Sequence, residues 1–273
     1  MVSPTNVIVT GAGVTGLLSY ASGKLYDNMT NLVYTSHAVT YKPPSTVTIL
    51  IPAFNEELLI EKTLRSILRQ NIISDYTDYF ECVVIDNEST DRTAAIAKRY
   101  CQVISAPRGK LNARHAGILN ASGDIIVSCD SDCYYPPNWL NIMLTHFRNP
   151  SVVAVHGPYL LQGNILQRLS SVWFANISPL VRTRISGANS AFLKKAYYKI
   201  GGFDLQIDQF SREEMQREEE VLLYRRLKTI GEVVFDLRIP CFTILRGLGY
   251  KTLDEQRLPT NEYQKEMIVG ERF

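Results

Sequence analysis

No stretch of the 273-residue sequence runs uninterrupted through the roughly 18 apolar residues that a membrane-crossing helix needs, so no spanning helix is expected. Neither charge sign dominates: Lys and Arg total 29, and Asp and Glu total 27. No basic tail or lysine run stands out, which argues against nucleic acid as a partner. Cysteine is scarce. The five residues (Cys82, Cys101, Cys129, Cys133 and Cys241) are an odd number in a long chain, unlike the dense, even set of a small secreted disulfide framework. A reducing, cytoplasmic setting is therefore expected, with peripheral contact at a membrane left open. The first residues carry no basic segment ahead of their apolar ones, which weakens a secretory-leader reading. What remains is 45% apolar composition, enough for a sizeable buried core.

The chain divides into four stretches. Residues 1–45 are rich in Gly, Ser and Thr, end in "YKPPS", and read as an extension of unassigned role. Within them Gly11, Gly13 and Gly16 match G-x-G-x-x-G. No acidic residue follows the next apolar run, as a dinucleotide fold requires, so a small-residue turn is the better reading. Residues 46–157 alternate between short β-branched runs ("TVTILIP", "FECVVID", "CQVISA", "GDIIVSCD", "SVVAVHG") and helical patterns ("EELLIEKTLRSILRQ", "TDRTAAIAKRY", "GKLNARHAGILNA", "PPNWLNIMLTHF"). Leu58, Leu59, Leu64, Ile67 and Leu68 form the apolar stripe of the first helix, Thr90 is a candidate N-cap of the second, and prolines open the fourth. Such alternation predicts βαβ units and a mostly parallel, Rossmann-like α/β sheet flanked by helices. In residues 158–246 the alternation breaks down; a charged helix ends near Gly231, and "EVVFD" is a late strand. Residues 247–273 are a second extension of unassigned role.

Parallel sheets bind ligands beyond the carboxyl ends of their strands. The first run ends in Pro52 and Ala53, then Asn55, Glu56 and Glu57. The second ends at Asp86, a carboxylate suited to a ribose or base, or to a simple Asx turn. Lys110, Arg114 and His115 follow Arg108-Gly109 and could meet a phosphate, or form a solvated helix surface. The fourth run ends in "CDSDC". Asp130 and Asp132, two residues apart, could share a hard cation such as Mg²⁺ or Mn²⁺. An acidic turn and a thiolate site built on Cys129 and Cys133 are the rival readings. The thiolate site has no second Cys/His pair nearby, and Cys129 reads as a packed small hydrophobe.

In order and spacing, "TVTILIPAFNEE", "VVIDNESTDRT", "GKLNARHAGILNASGDIIVSCDSD", "ISGANSAFLKKAYYKIGGFD" and "EEEVLLYRRLKTIGEVVFD" resemble family 2 glycosyltransferases over roughly residues 46–240. The resemblance implies the GT-A fold, with 46–157 as the nucleotide-sugar half and 158–246 as the acceptor-binding and catalytic half. It implies an inverting transferase with a divalent metal, Mn²⁺ or Mg²⁺, that takes a nucleotide-diphosphate sugar. The acceptor is a hydroxyl on a glycan, a lipid-linked species or a small molecule. By the same resemblance Pro52, Ala53, Asn55, Glu57, Asp86, Lys110, Arg114, Asp130, Gly187 and Asn189 contact the nucleotide sugar. Asp132, and Asp130 with it, serve the metal.

The family's base lies in an acidic pair that corresponds to Glu219-Glu220, with Glu220 preferred and Glu218 able to shift the register by one. His115 departs from the asparagine frequent in the family. No Q-x-x-R-W signature is present, so transfer of a single sugar is expected. The main alternative is a non-catalytic nucleotide-sugar-binding protein of the same fold. A nucleotidyltransferase would want a Gly-rich basic loop where the acidic "PAFNEE" stands.

Overall fold

A computed structural model describes residues 40–162, 183–203 and 212–244, with the side chains of 162, 212–219 and 244 excepted. The N-terminal glycine motif, residues 163–182, the side chains of Glu218 and Glu219, and the extension 247–273 lie outside the described residues.

In chain order the elements are β1 (Val47–Ala53), α1 (Ile60–Leu68), α2 (Asn71–Asp75), β2 (Phe80–Asp86), α3 (Thr93–Ala97), β3 (Gln102–Ser105), α4 (Lys110–Asn120), β4 (Ile125–Cys129) and β5 (Cys133–Tyr134). There follow α5 (Trp139–Thr145), β6 (Val152–His156), β7 (Tyr159–Gln162), β8 (Asn189–Leu193), α6 (Lys194–Lys199), α7 (Arg212–Lys228), β9 (Glu232–Phe235) and β10 (Cys241–Ile244). Seven strands form one sheet in the order β3-β2-β1-β4-β8-β6-β9, and a three-stranded sheet runs β5-β10-β7. β1 pairs in parallel with β2 and β4, whereas β8 runs antiparallel to both β4 and β6. The carboxyl ends of β1, β2, β4 and β6 therefore share one edge.

Alternation along β1 sets the layers. Val47, Ile49 and Ile51 pack with Ile60, Leu64, Ile67 and Trp139 on one face. Leu50 packs with Ile118, Phe192, Leu223 and Leu227 on the other. Side chains of successive strand residues point to opposite faces, so a strand buried on both reads as one continuous apolar run. Both layers are made from distant segments, and the large sheet crosses the expected division at residue 157, because β8 lies inside it.

Local expectations need correcting in five places. The sequence pattern missed β8: "NSAFL" opens with weak strand formers, and burial between β4 and β6 overrides that preference. Leu58 is 65% exposed, while Ile60 and Thr63 take its place on the buried face of α1. Thr90 does not cap α3. Asp91 accepts the Thr93 N–H at 2.9 Å instead. Pro136 and Pro137 lie in the turn before α5, where Pro136 accepts the Trp139 N–H, and not within its first turn. The charged helix ends at Lys228, and Gly231 is not a left-handed cap: a Cβ there would lie 2.3 Å from Val153 and 2.8 Å from the Ser151 carbonyl, so close packing calls for the glycine.

Candidate active site at the strand edge

Two loops leave the edge from β1 and β2, and they are laced together. Asn55, at φ 53°, accepts the Thr90 N–H at 2.8 Å and donates its own N–H to Ser89. Asparagine tolerates that left-handed backbone better than most residues. The Glu57 N–H donates to Asp91 at 3.1 Å, and the Glu57 carboxylate pairs with Arg92 at 3.1 Å. Asp86 is mostly buried and accepts the Ser89 N–H at 3.3 Å, the Asx-like turn. Pro52 and Ala53 are buried at the end of β1, where the Ala53 carbonyl accepts the Asn87 N–H. Of these residues, Asn55 and Glu57 spend their side chains on holding the loops.

The charged centre lies one strand over. Lys110 and Arg114 stand one turn apart on α4, hence on one face. Lys110 Nζ meets Asp130 Oδ2 at 2.8 Å, and Arg114 Nη2 meets Asp130 Oδ1 at 2.7 Å. Burial pushes the Asp130 carboxyl up, but the two cations outweigh it and hold the group below its usual range. The cations expected to face a phosphate thus already hold a carboxylate between them. Asp132 is half-buried in the turn beyond, with the Cys133 thiol 3.7 Å from its Oδ1. Cys129 is fully buried in the core, as a packed hydrophobe.

Gly187 joins this centre to α7. A Cβ at Gly187 would come within 2.3 Å of the Arg114 guanidinium, so glycine is what lets the arginine lie there. The Gly187 N–H donates to Glu220 Oε1 at 2.9 Å, and Arg184 Nε stands 3.9 Å from Oε2. Burial raises the Glu220 carboxyl above its ordinary value, against the pull of the Gly187 N–H, Arg114, Arg184 and Lys110. A pocket between the sheet and helices α4 and α7 has Arg114, Ser128, Gly187, Ser190 and Glu220 in its wall, with Leu50, Ile118 and Phe192 lining the rest. Arg114 Nε and Ser190 Oγ, both buried, find no hydrogen-bond partner among the described residues. Orphaned polar atoms in a pocket wall are normally met by water or ligand.

Asn189 does not join this group. Fully buried, it accepts the Trp139 indole N–H at 2.7 Å and donates to the Pro158 and Ile239 carbonyls at 2.8 and 2.7 Å. Its amide ties three segments together beneath the site.

Sequence reading missed several participants. Arg108 stacks 4.5 Å over the Phe54 ring at the same edge. Arg184 and Tyr135 each place a polar tip at the site's margin, and Trp139 reaches Asn189 beneath it. The aromatic cluster "YYPPNW" directly after the aspartates was the available signal, since buried Tyr and Trp normally find a hydrogen-bond partner.

Among the described residues, no three His, Cys, Asp or Glu side chains converge into a ready-made metal cage. The carboxylate turn nevertheless fits a hard cation that completes its shell with phosphate and water oxygens. Asp132, the second carboxylate of that turn, would hold such an ion; both Asp130 oxygens already face cations.

Comparison with known proteins bears on the family and the fold. The family model described as "Glycosyl transferase family 2" matches residues 48–201. The chain is 29% identical over 127 residues to glycosyltransferase AglE of Haloferax volcanii, covering 44% of this chain and 39% of that one. It is 32% identical over 97 residues to the probable glycosyltransferase YdaM of Bacillus subtilis, covering 32% of this chain and 22% of that one. It is 25% identical over 177 residues to a poly-beta-1,6-N-acetyl-D-glucosamine synthase of Staphylococcus aureus, covering 58% of this chain and 42% of that one. The chain thus spans well under half the length of these relatives. In fold it is similar to the mannosyltransferase PcManGT from Pyrobaculum calidifontis, solved with GDP-Man and Mn²⁺, at a TM-score of 0.58 and 20% identity, covering 88% of this chain and 69% of that one. With more than half its length matched by the family model, the chain belongs to glycosyltransferase family 2.

Proposed function

We propose that the chain is a metal-dependent, inverting glycosyltransferase that moves one sugar from a nucleotide-diphosphate sugar to an acceptor hydroxyl on a glycan, a lipid-linked species or a small molecule. The observation that carries this is the convergence on Gly187. Its backbone N–H holds the buried Glu220 carboxylate, and its missing side chain admits Arg114, which pairs with Asp130. One residue thus separates a candidate base from the charged turn.

Glu220 takes the proton of the attacking hydroxyl. A carboxylate raised toward neutral pH is a better base than an ordinary one. Lys110 and Arg114 supply positive potential where the departing diphosphate gathers charge. A divalent ion held by Asp132 would act there as a Lewis acid. Asp86 and the loops around Asn55 and Glu57 form the wall on which the nucleoside rests. Glu219 follows Glu220 in preference. The neighbouring fold holds GDP-Man with Mn²⁺, which makes GDP-mannose the first donor to try. Similarity to a polymer synthase favours a second reading, repeated transfer, against which stands the missing Q-x-x-R-W signature. A cytoplasmic location, with peripheral membrane contact, is the matching proposal, and the five free thiols support it.

The test is transfer from GDP-, UDP-, dTDP- and CMP-sugars to a panel of hydroxyl acceptors with Mn²⁺ or Mg²⁺, read by NMR for anomeric configuration and by mass for product length. Inverted products carrying one added sugar are expected. Chelation and Asp132→Ala should each abolish transfer. Undiminished transfer in EDTA, or a retained configuration, would sink the proposal, and a ladder of products would select the second reading.

A further inference from the structure

Tyr135 lies four residues from the core helix α5 and is fully buried, so it touches no substrate. Its ring rests on Trp139 with centroids 4.4 Å apart. Its hydroxyl is the only polar atom of the side chain, and both of its hydrogen-bonding roles are used. It accepts the Asp130 N–H at 2.9 Å and donates to the Ala188 carbonyl at 2.8 Å. Burial raises the phenol well above the usual tyrosine value, so it keeps the proton it needs to donate. The backbone of Tyr135 is pinned as well: its N–H donates to Ser66, and its carbonyl accepts from Gln70.

The two segments bridged by this hydroxyl are the two halves of the candidate site. Asp130 opens the turn that carries Asp132. Ala188 adjoins Gly187, whose N–H holds Glu220. No strand ladder bridges them at this point, because the β4–β8 pairing ends at Cys129 and Asn189. Where the sheet stops, the Tyr135 hydroxyl joins the two ends, one residue beyond the Ser128 hydroxyl, which donates to the Gly187 carbonyl at 2.7 Å.

We propose that Tyr135 is a positioning residue that sets the Asp130–Asp132 turn at a fixed distance from Glu220. The inference rests on the transferase reading above and adds to it a residue that acts only through others. Replacing tyrosine by phenylalanine keeps the ring in its slot and takes this partner from the part-buried Asp130 N–H and Ala188 carbonyl.

The experiment compares wild type, Tyr135→Phe and, as a core control in α1 that only lowers stability, Ile67→Val. In Tyr135→Phe, kcat should fall about tenfold or more, within the range that a misplacement of about 1 Å produces. The Mn²⁺ concentration for half-maximal activity should rise several-fold, because the turn that carries Asp132 is no longer held. Ile67→Val should lower Tm without moving either. Equal kcat and Mn²⁺ requirement in Tyr135→Phe and wild type would overturn the inference, as would equal changes in the control. Absence of transfer by the wild type would instead defeat the transferase reading. The positioning role is then judged on the ligand-free protein by NMR hydrogen exchange. The Asp130 amide should exchange slowly in wild type and at least several-fold faster in Tyr135→Phe. An Asp130 amide that exchanges in wild type like an open loop would overturn the inference even if the variant did not fold.

Discussion

Asp130 beyond β4 and Glu220 on α7 are two carboxylates at one site, almost equally sunk, with 18% and 16% of their side chains exposed. Their proton affinities nevertheless move in opposite directions. Burial pushes both up. At Asp130 two cations in direct contact reverse the push; at Glu220 one backbone N–H and more distant cations do not. Burial alone therefore does not decide the charge of a buried acid. The partner does, and the partner also assigns the role: Asp130 is a fixed anion that organises Lys110 and Arg114, and Glu220 is a group able to take a proton.

The largest expected effect breaks the Glu220 side of this pair. Glu220→Gln should cut turnover by about 10²–10⁴, the usual worth of a general base, with donor binding retained in calorimetry. It should also raise Tm at neutral pH. A carboxyl whose pKa is higher in the folded protein stabilises it below the unfolded value and loses that contribution as pH rises through the folded one. The wild-type rate should accordingly decline on the acid side at a pH above the ordinary glutamate range. A rate flat through that range would remove Glu220 from the reaction.

Breaking the Asp130 side should act on stability first. Asp130→Asn leaves Arg114, only 6% exposed, without its anion, and urea unfolding should show a loss of about 3–5 kcal/mol. A loss below about 1 kcal/mol would show that solvent already compensates the guanidinium.

The smallest effect sharpens the comparison with a third group. His156, at the end of β6, is buried with neither ring nitrogen paired among the described residues, and burial, aided by Arg184, lowers its pKa to about 4. Stability that depends on the neutral ring is complete above about 6.5 and is lost as pH falls toward 4, at most roughly 3 kcal/mol in all. His156→Leu should be close to neutral at pH 7 and should flatten that part of the acid-unfolding curve. An unchanged curve would mean that the ring has a partner in solution.

The parallel frame was readable in the sequence because its strands bury both faces over most of their length, so "TVTILIP" and "FECVVID" each carry a short apolar run, Ile49–Pro52 and Cys82–Ile85. "NSAFL" was not readable as a strand, since only its place between β4 and β6 makes it one. At the site, the aspartates, Lys110 and Arg114 were picked out from their places after strands and on a helix, and Glu220 only through the resemblance to the family. That Lys110 and Arg114 already hold Asp130 was not visible, since the contacts cross 20 and 16 residues of sequence. Asn189 looked like a ligand for the same reason: its amide partners lie 31 and 50 residues away, and sequence shows only that the group can hydrogen-bond.

By itself, then, the sequence determined which chemical groups this protein brings to its strand edge, because apolar periodicity locates strand ends and the polar residues follow directly. Only the tertiary structure decided what those groups do there. A carboxylate's charge, a glycine's necessity and a tyrosine's hydroxyl depend on which distant atom lies within about 3 Å, and chain order does not encode that distance.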